Sequence, residues 1–126
     1  MTRRKLVTVR ISTVARSALN EVSARTIRPY SWLIQEAVAD LARAHVVDGN
    51  LLSIYTVRPE RGDAQPVSID PSEACRSVLD ALSNETRHSP AAIGRAAWMW
   101  WLDTRGVEAI VDTYGEVRPR TGGTAS

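Results

Sequence analysis

The pattern of apolar and polar positions changes twice between residues 5 and 44. Apolar residues first alternate with polar ones, with Val7, Val9 and Ile11 on one side, which is typical of a half-buried strand. Two stretches with helical spacing follow, separated by a polar break, and their apolar positions are Ala15, Ala18, Leu19 and Val22, then Leu33, Ile34, Ala37, Val38 and Leu41. A strand and two helices of this length are too small to close a hydrophobic core alone. The unit therefore needs a partner.

The same order of elements returns about sixty residues later. A short run from Val67 precedes a helical face containing Cys75, Val78, Leu79 and Leu82, and Ser89-Pro90 then opens a helix containing Ile93, Ala96, Ala97, Trp100 and Trp101. The triplet Val-Arg-Pro also occurs twice, at 57–59 and at 117–119. We predict an internal duplication, with a first unit over 1–63, a second, degenerate unit over 64–114, and a flexible tail over 115–126.

One linking segment stays ambiguous. The apolar run from Leu51 to Val57 fits either a short strand or a continuation of the preceding helix, because periodicity does not separate the two at this length.

V-T-V-R-I-S leading directly into a helix, and S-W-L-I-Q-E-A-V-A-D-L opening the next one, resemble the ribbon-helix-helix family of DNA-binding regulators. The resemblance covers roughly residues 4–45. It implies a mostly α fold with a short antiparallel β-ribbon, in which two ribbon-helix-helix units form an intramolecular pseudo-dimer. Residues 6–11 and about 65–69 would be the two strands of that ribbon.

The resemblance also implies which side chains read DNA. A two-stranded ribbon fits the major groove, where each base pair presents its own donor and acceptor pattern. Outward positions of the first strand are Leu6, Thr8 and Arg10, which we expect to contact bases together with Ser68 of the second strand. The second strand has no basic residue at its outward positions, so we expect a bound site with one constrained and one tolerant half.

Phosphate contacts are expected at three places. The basic arm before the first strand supplies Arg3, Arg4 and Lys5. Ser31 is predicted to cap the second helix, whose free N–H groups would face a phosphate beside Arg28 and Tyr30. The residues expected to act similarly in the second unit are His88 and Ser89.

The distribution of charge along the chain also favours DNA as the partner. The chain of 126 residues has a net charge of +2, but residues 1–63 hold ten Lys/Arg and six Asp/Glu, or +4, whereas residues 64–126 hold six and eight, or −2. A basic first half suits a polyanion. The single cysteine excludes an internal disulfide, and no apolar run approaches a membrane span, so a cytoplasmic, nucleoid-associated location is expected.

The sequence contains no catalytic, metal-ligating or phosphate-loop motif, and its only histidines are His45 and His88. We therefore expect no enzymatic activity, no cofactor and no metal, and no small-molecule ligand is indicated. Trp98 and Leu102 fall opposite the apolar face of their helix. They predict either self-association or burial under the C-terminal segment.

Three functions fit this reading. The first is a sequence-specific double-stranded DNA-binding protein that acts as a transcriptional repressor. The second is an accessory protein that binds a plasmid transfer origin in a relaxosome. The third is an antitoxin-like regulator whose second half binds a protein, and it fits less well because residues 67–105 have the pattern of folded helices.

Overall fold

The computed structural model describes residues 6–56 and 62–115 of the protein. The chain runs through β1 (Val7–Ile11), α1 (Thr13–Thr26), α2 (Tyr30–Val47), α3 (Leu51–Tyr55), β2 (Gln65–Ile69), α4 (Glu73–Thr86), α5 (Pro90–Thr104) and α6 (Gly106–Tyr114). The two strands pair antiparallel. The predicted fold class is thus confirmed as mostly helical with a short antiparallel ribbon, and the predicted strand partners are correct.

A serine caps the helix that follows each strand. Ser12 accepts a hydrogen bond from the backbone N–H of Ala15 at 3.1 Å, and Ser72 accepts one from Cys75 at the same distance. These bonds satisfy N–H groups that a helix start leaves unpaired. The following helices both end on a left-handed residue that is not glycine, Ile27 with φ 57° after α1 and Arg87 with φ 66° after α4. Both halves therefore turn from the first helix to the second in the same way.

The ribbon has one buried and one exposed face. Val9 pairs with Val67 at its centre, and on either side Thr8 lies opposite Ser68 and Arg10 opposite Pro66. On the face toward the helices, Val9, Ile11, Val67 and Ile69 are buried, and Val7 and Gln65 at the first position of each strand are half-buried. The alternation expected of a half-buried strand is therefore present in both strands.

The buried residues of both halves form one hydrophobic cluster under the ribbon. α5 approaches the ribbon closely at Gly94, where a Cβ atom would lie 2.9 Å from Cγ2 of Val9 and 3.8 Å from Cγ2 of Ile34. A side chain at this position would therefore displace the Val9 side chain at the centre of β1. Gly94 is thus required for close approach rather than for a turn.

The last helix lies on the first. α6 is fixed to α1 by Arg25, whose guanidinium donates to both carboxylate oxygens of Glu108 at 2.6 and 2.9 Å. Ile110 of α6 is fully buried. The shorter α3 resolves the ambiguous linking segment as a separate single-turn helix that ends at Tyr55, so neither the strand nor the continuous helix is correct.

Trp98 is fully buried in the core, so a partner contact through this side chain is excluded. Its Nε1–H donates to the carbonyl oxygen of Ala15 on α1 at 3.0 Å, and its ring lies 6.1 Å from that of Trp101. Of the two predicted alternatives burial is correct, and the Trp98 side chain contacts α1 and Trp101. Leu102 is half-buried against the same core. Residues 116–126 of the predicted tail lie outside the described residues.

Candidate nucleic-acid interface

The exposed face of the ribbon carries Thr8, Arg10, Pro66 and Ser68. Leu6, directly before β1, is 63% exposed. The antiparallel register places Thr8 and Ser68 side by side at one end and Arg10 beside Pro66 at the other. The predicted base-contacting residues therefore share one solvent-facing surface, but they are divided between its two ends.

Arg16 of α1 borders this face and was missed by the sequence reading. Its Nη1 donates to the carbonyl oxygen of Pro66 at 3.1 Å, and its guanidinium lies 5.0 Å from the centre of the Tyr30 ring. The Arg16 Nε–H and the Tyr30 hydroxyl both donate to Oδ1 of Asn20. These contacts hold the Arg16 guanidinium beside the ribbon together with Tyr30, which is one of the predicted phosphate contacts. Arginine recurs sixty residues on, at Arg76, which is a signal that the repeat comparison could have used.

The predicted cap of α2 is wrong. α2 begins at Tyr30 with Pro29 in the cap position and no side-chain cap, and the N–H of Leu33 donates to the Pro29 carbonyl at 3.1 Å. Ser31 already lies inside the helix, where its Oγ accepts from Nε2 of Gln35 at 2.9 Å and from the N–H of Asp70 at 3.3 Å. Its hydroxyl oxygen therefore holds the chain after β2, whereas the first N–H groups of α2 have no side-chain cap.

At the start of α5 the serine prediction is confirmed. Ser89 caps the helix and its Oγ accepts from the N–H of Ala92 at 3.1 Å, with Pro90 in the first turn. His88 lies directly before this cap, half-buried, and its own N–H faces the hydroxyl of Thr86 at 3.4 Å. Both helix starts therefore present partial positive charge to an anion.

Of the remaining predicted phosphate contacts, one lies within the described residues. Arg28 is exposed, but its guanidinium stacks 4.5 Å from the centre of the Trp32 ring. Arg3, Arg4 and Lys5 lie outside the described residues.

Two carboxylates occupy the ends of β2. Asp63 precedes the strand, and its Oδ1 accepts from the N–H and the hydroxyl of Thr13 at 3.2 and 2.6 Å. The start of α1 thus offsets part of its negative charge. Asp70 follows the strand and is exposed. The exposed Asp70 therefore places a negative charge next to the end of the ribbon that carries Ser68.

The described residues contain no group of three or more His, Cys, Asp or Glu that could hold a metal ion. Within the same residues, no helix combines the length and apolar character needed to cross a membrane. Comparison with family models, with curated proteins and with solved structures finds no match to this chain. The geometry of the ribbon and its surroundings is therefore the basis for assigning a function.

Proposed function

We propose that the protein binds double-stranded DNA sequence-specifically and acts as a transcriptional repressor, inserting the β1–β2 ribbon into the major groove. The observation that carries the proposal is the ribbon itself, with one face buried on the helices and the other exposing Thr8, Arg10, Pro66 and Ser68. A two-stranded ribbon fits the major groove, where short polar side chains and arginine discriminate between bases.

We further propose that β1–α1–α2 and β2–α4–α5 are two ribbon-helix-helix units paired within one chain. The strands have equal length, as do α1 and α4, and the register is centred on Val9 and Val67, which are 58 residues apart. Ser12 and Ser72 cap corresponding helices with equal hydrogen bonds. Each half would thereby cover the apolar surface that the other leaves exposed.

The register predicts how specificity is divided along the DNA. Arg10 at one end donates two hydrogen bonds to O6 and N7 of a guanine, and Pro66 beside it offers no side-chain donor. At the other end Thr8 and Ser68 lie together and read one short segment with hydroxyl groups. We therefore expect an operator whose two halves differ, rather than a palindrome.

The ends of the helices would position the DNA backbone. The start of α2 is joined to the end of β2 by the bond from the Asp70 N–H to Ser31, and the uncapped N–H groups of α2 and those of α5 beyond Ser89 suit phosphate oxygens. Arg16, held against Pro66, adds a cation at the side of the groove.

The test is selection of bound duplexes from a random pool, followed by binding of Arg10→Ala to the selected site and to a scrambled duplex across a salt series. We expect a loss of about 1–3 kcal/mol on the selected site and much less on the scrambled one. Arg43→Ala is the matched control, because it removes the same charge from a 69% exposed side chain thirteen residues along α2 from Tyr30, about 20 Å away.

Arg43→Ala should leave the preference for the selected site unchanged. Equal losses on both duplexes for Arg10→Ala would remove this residue from base reading. Failure of the selection to enrich any sequence would contradict the proposed function itself.

A further inference from the structure

A groove of about 360 Å³ lies between α2 and the first turns of α4. Its apolar walls include Trp32, Val38, Cys75 and Val78, and Gln35 and Glu36 add polar groups. A volume in this range, with mostly apolar walls and few polar groups, is typical of small-molecule sites.

The corresponding place in the other half is filled by the protein's own indole. Sixty residues separate Val38 from Trp98 and Ala15 from Cys75. Trp98 on α5 lies against α1, where its Nε1–H donates to the Ala15 carbonyl. Across the groove, Val38 on α2 and Cys75 on α4 are the matching pair, and valine is far smaller than tryptophan. One half thus buries an indole at a position where the other half has a smaller, fully buried valine that lines the groove.

The groove has a single full charge among its lining residues, the carboxylate of Glu36. Burial raises the pKa of the Cys75 thiol to about 11, so this group is neutral at pH 7. The indole of Trp32 supplies an aromatic wall, and the guanidinium of Arg28 covers one face of this ring at 4.5 Å. An occupant that complements the apolar walls is flat and apolar, and one that pairs with Glu36 carries a positive charge.

We propose that the α2–α4 groove binds a small aromatic cation, an indole-sized ring carrying a protonated amine, at the place matching that of Trp98. The assignment rests on the proposed pairing of two units, but it does not depend on DNA binding. Tryptamine is the probe with this chemistry, and indole-3-propionate is its counterpart of similar size and opposite charge.

Occupancy of the groove would be transmitted to the ribbon through Gln35. This side chain accepts from the N–H of Ser72 at 2.9 Å through Oε1, and its Nε2 faces the Asp70 carbonyl at 3.4 Å. Gln35 and Ser72 both line the groove, and Asp70 directly follows β2. A ligand that reorients Gln35 therefore alters the anchoring of the strand.

The first measurement is calorimetric titration of the full chain with each probe in the absence of DNA. We expect saturable binding of one tryptamine per chain, about tenfold tighter than indole-3-propionate, because one charge is attracted by Glu36 and the other repelled. Glu36→Gln should abolish this difference while retaining the ring contribution. The two probes binding equally to the unaltered chain would overturn the assigned role of Glu36.

The second measurement uses substitutions that place a tryptophan side chain in the groove. Val38→Trp should reduce tryptamine affinity by at least about tenfold, because it reproduces the arrangement at Trp98. Ala74→Trp tests the same point from an exposed position on the rim, so the experiment does not depend on a core substitution folding correctly. Val47→Trp is the control, since Val47 is 90% exposed and does not line the groove.

Cys75 provides an independent readout, because it is the only cysteine and it lines the groove. Tryptamine should slow its reaction with a neutral thiol reagent in proportion to the calorimetric occupancy. No binding of tryptamine, or unchanged binding by both filling variants, would overturn the proposal. Protection of Cys75 that rises with protein concentration and not with tryptamine would overturn it too, since it would assign the groove to a second copy of the chain.

Discussion

Replacing Trp98 by alanine is the most direct test of how the two halves are held together. The substitution removes a fully buried indole that links α5 to α1. It also removes the donor to the Ala15 carbonyl and the ring contact with Trp101.

The expected cost follows from these losses. Truncation of a buried tryptophan to alanine costs about 3–5 kcal/mol, including the cavity that remains. Within this figure the hydrogen bond contributes about 1 kcal/mol and the aromatic pair about 0.5–1.5 kcal/mol. A small domain has a total stability of about 5–15 kcal/mol, so the variant should be close to unfolding. Trp98→Phe, which keeps one ring but loses the donor, should cost less.

The assay is urea unfolding followed by circular dichroism at 222 nm. With a denaturant slope of about 2 kcal/mol per molar urea, the Trp98→Ala midpoint should fall by about 2 M. Trp100→Ala is the matched control, because Trp100 is a half-buried neighbour on the same helix. A midpoint shift for Trp98→Ala no larger than that for Trp100→Ala would refute the placement of Trp98 at the centre of the core.

Two further substitutions test other contacts. Gly94→Ala should gain up to about 1 kcal/mol of helix propensity but lose about 1–3 kcal/mol through overpacking against Val9. A net loss of stability is therefore expected in the same assay. Gly49→Ala is the control, because Gly49 has open space around it and its substitution should be nearly neutral. Burial alone would raise the pKa of Asp40, but the hydrogen bond from Trp101 and the charge of Arg105 hold that pKa below its usual value. The stability this provides is present above about pH 4 and is lost as pH falls through the lowered pKa. Asp40→Asn should therefore destabilise by about 1–2 kcal/mol at pH 7 and by less at pH 3, and an equal loss at both would contradict it.

Periodicity predicted the order of elements because most of them bury one face. Both strands alternate as expected, with Val9 and Val67 buried and their neighbours exposed. Periodicity did not predict which residues of α5 are exposed, because the six consecutive residues 93–98 are all buried. A helix surrounded on all sides has no polar face, so the position of Trp98 opposite the apolar stripe carried no information about exposure.

The errors at the candidate interface have a different origin. The strands repeat at an interval of 58 residues and α1 and α4 at 60, because three residues link β2 to α4 whereas Ser12 alone links β1 to α1. A serine at the start of α2 was therefore matched to Ser89, although Pro29 occupies that place sixty residues earlier. The contact between Arg16 and Pro66 joins α1 to β2 across fifty residues, and the local pattern around Arg16 does not indicate which strand its side chain will meet.

The close approach at Gly94 has a consequence for partner choice. Gly94 and Ile34 are sixty residues apart and meet each other beside Val9, so a hole on one helix faces a bulky side chain on the other. Two first halves brought together would place isoleucine against isoleucine, and two second halves would leave a void. Each half is thus shaped for the unlike half and not for a copy of itself. On the proposed pairing of two units, loss of either half would leave the other without a matching partner, and the two halves would be free to diverge in what they bind.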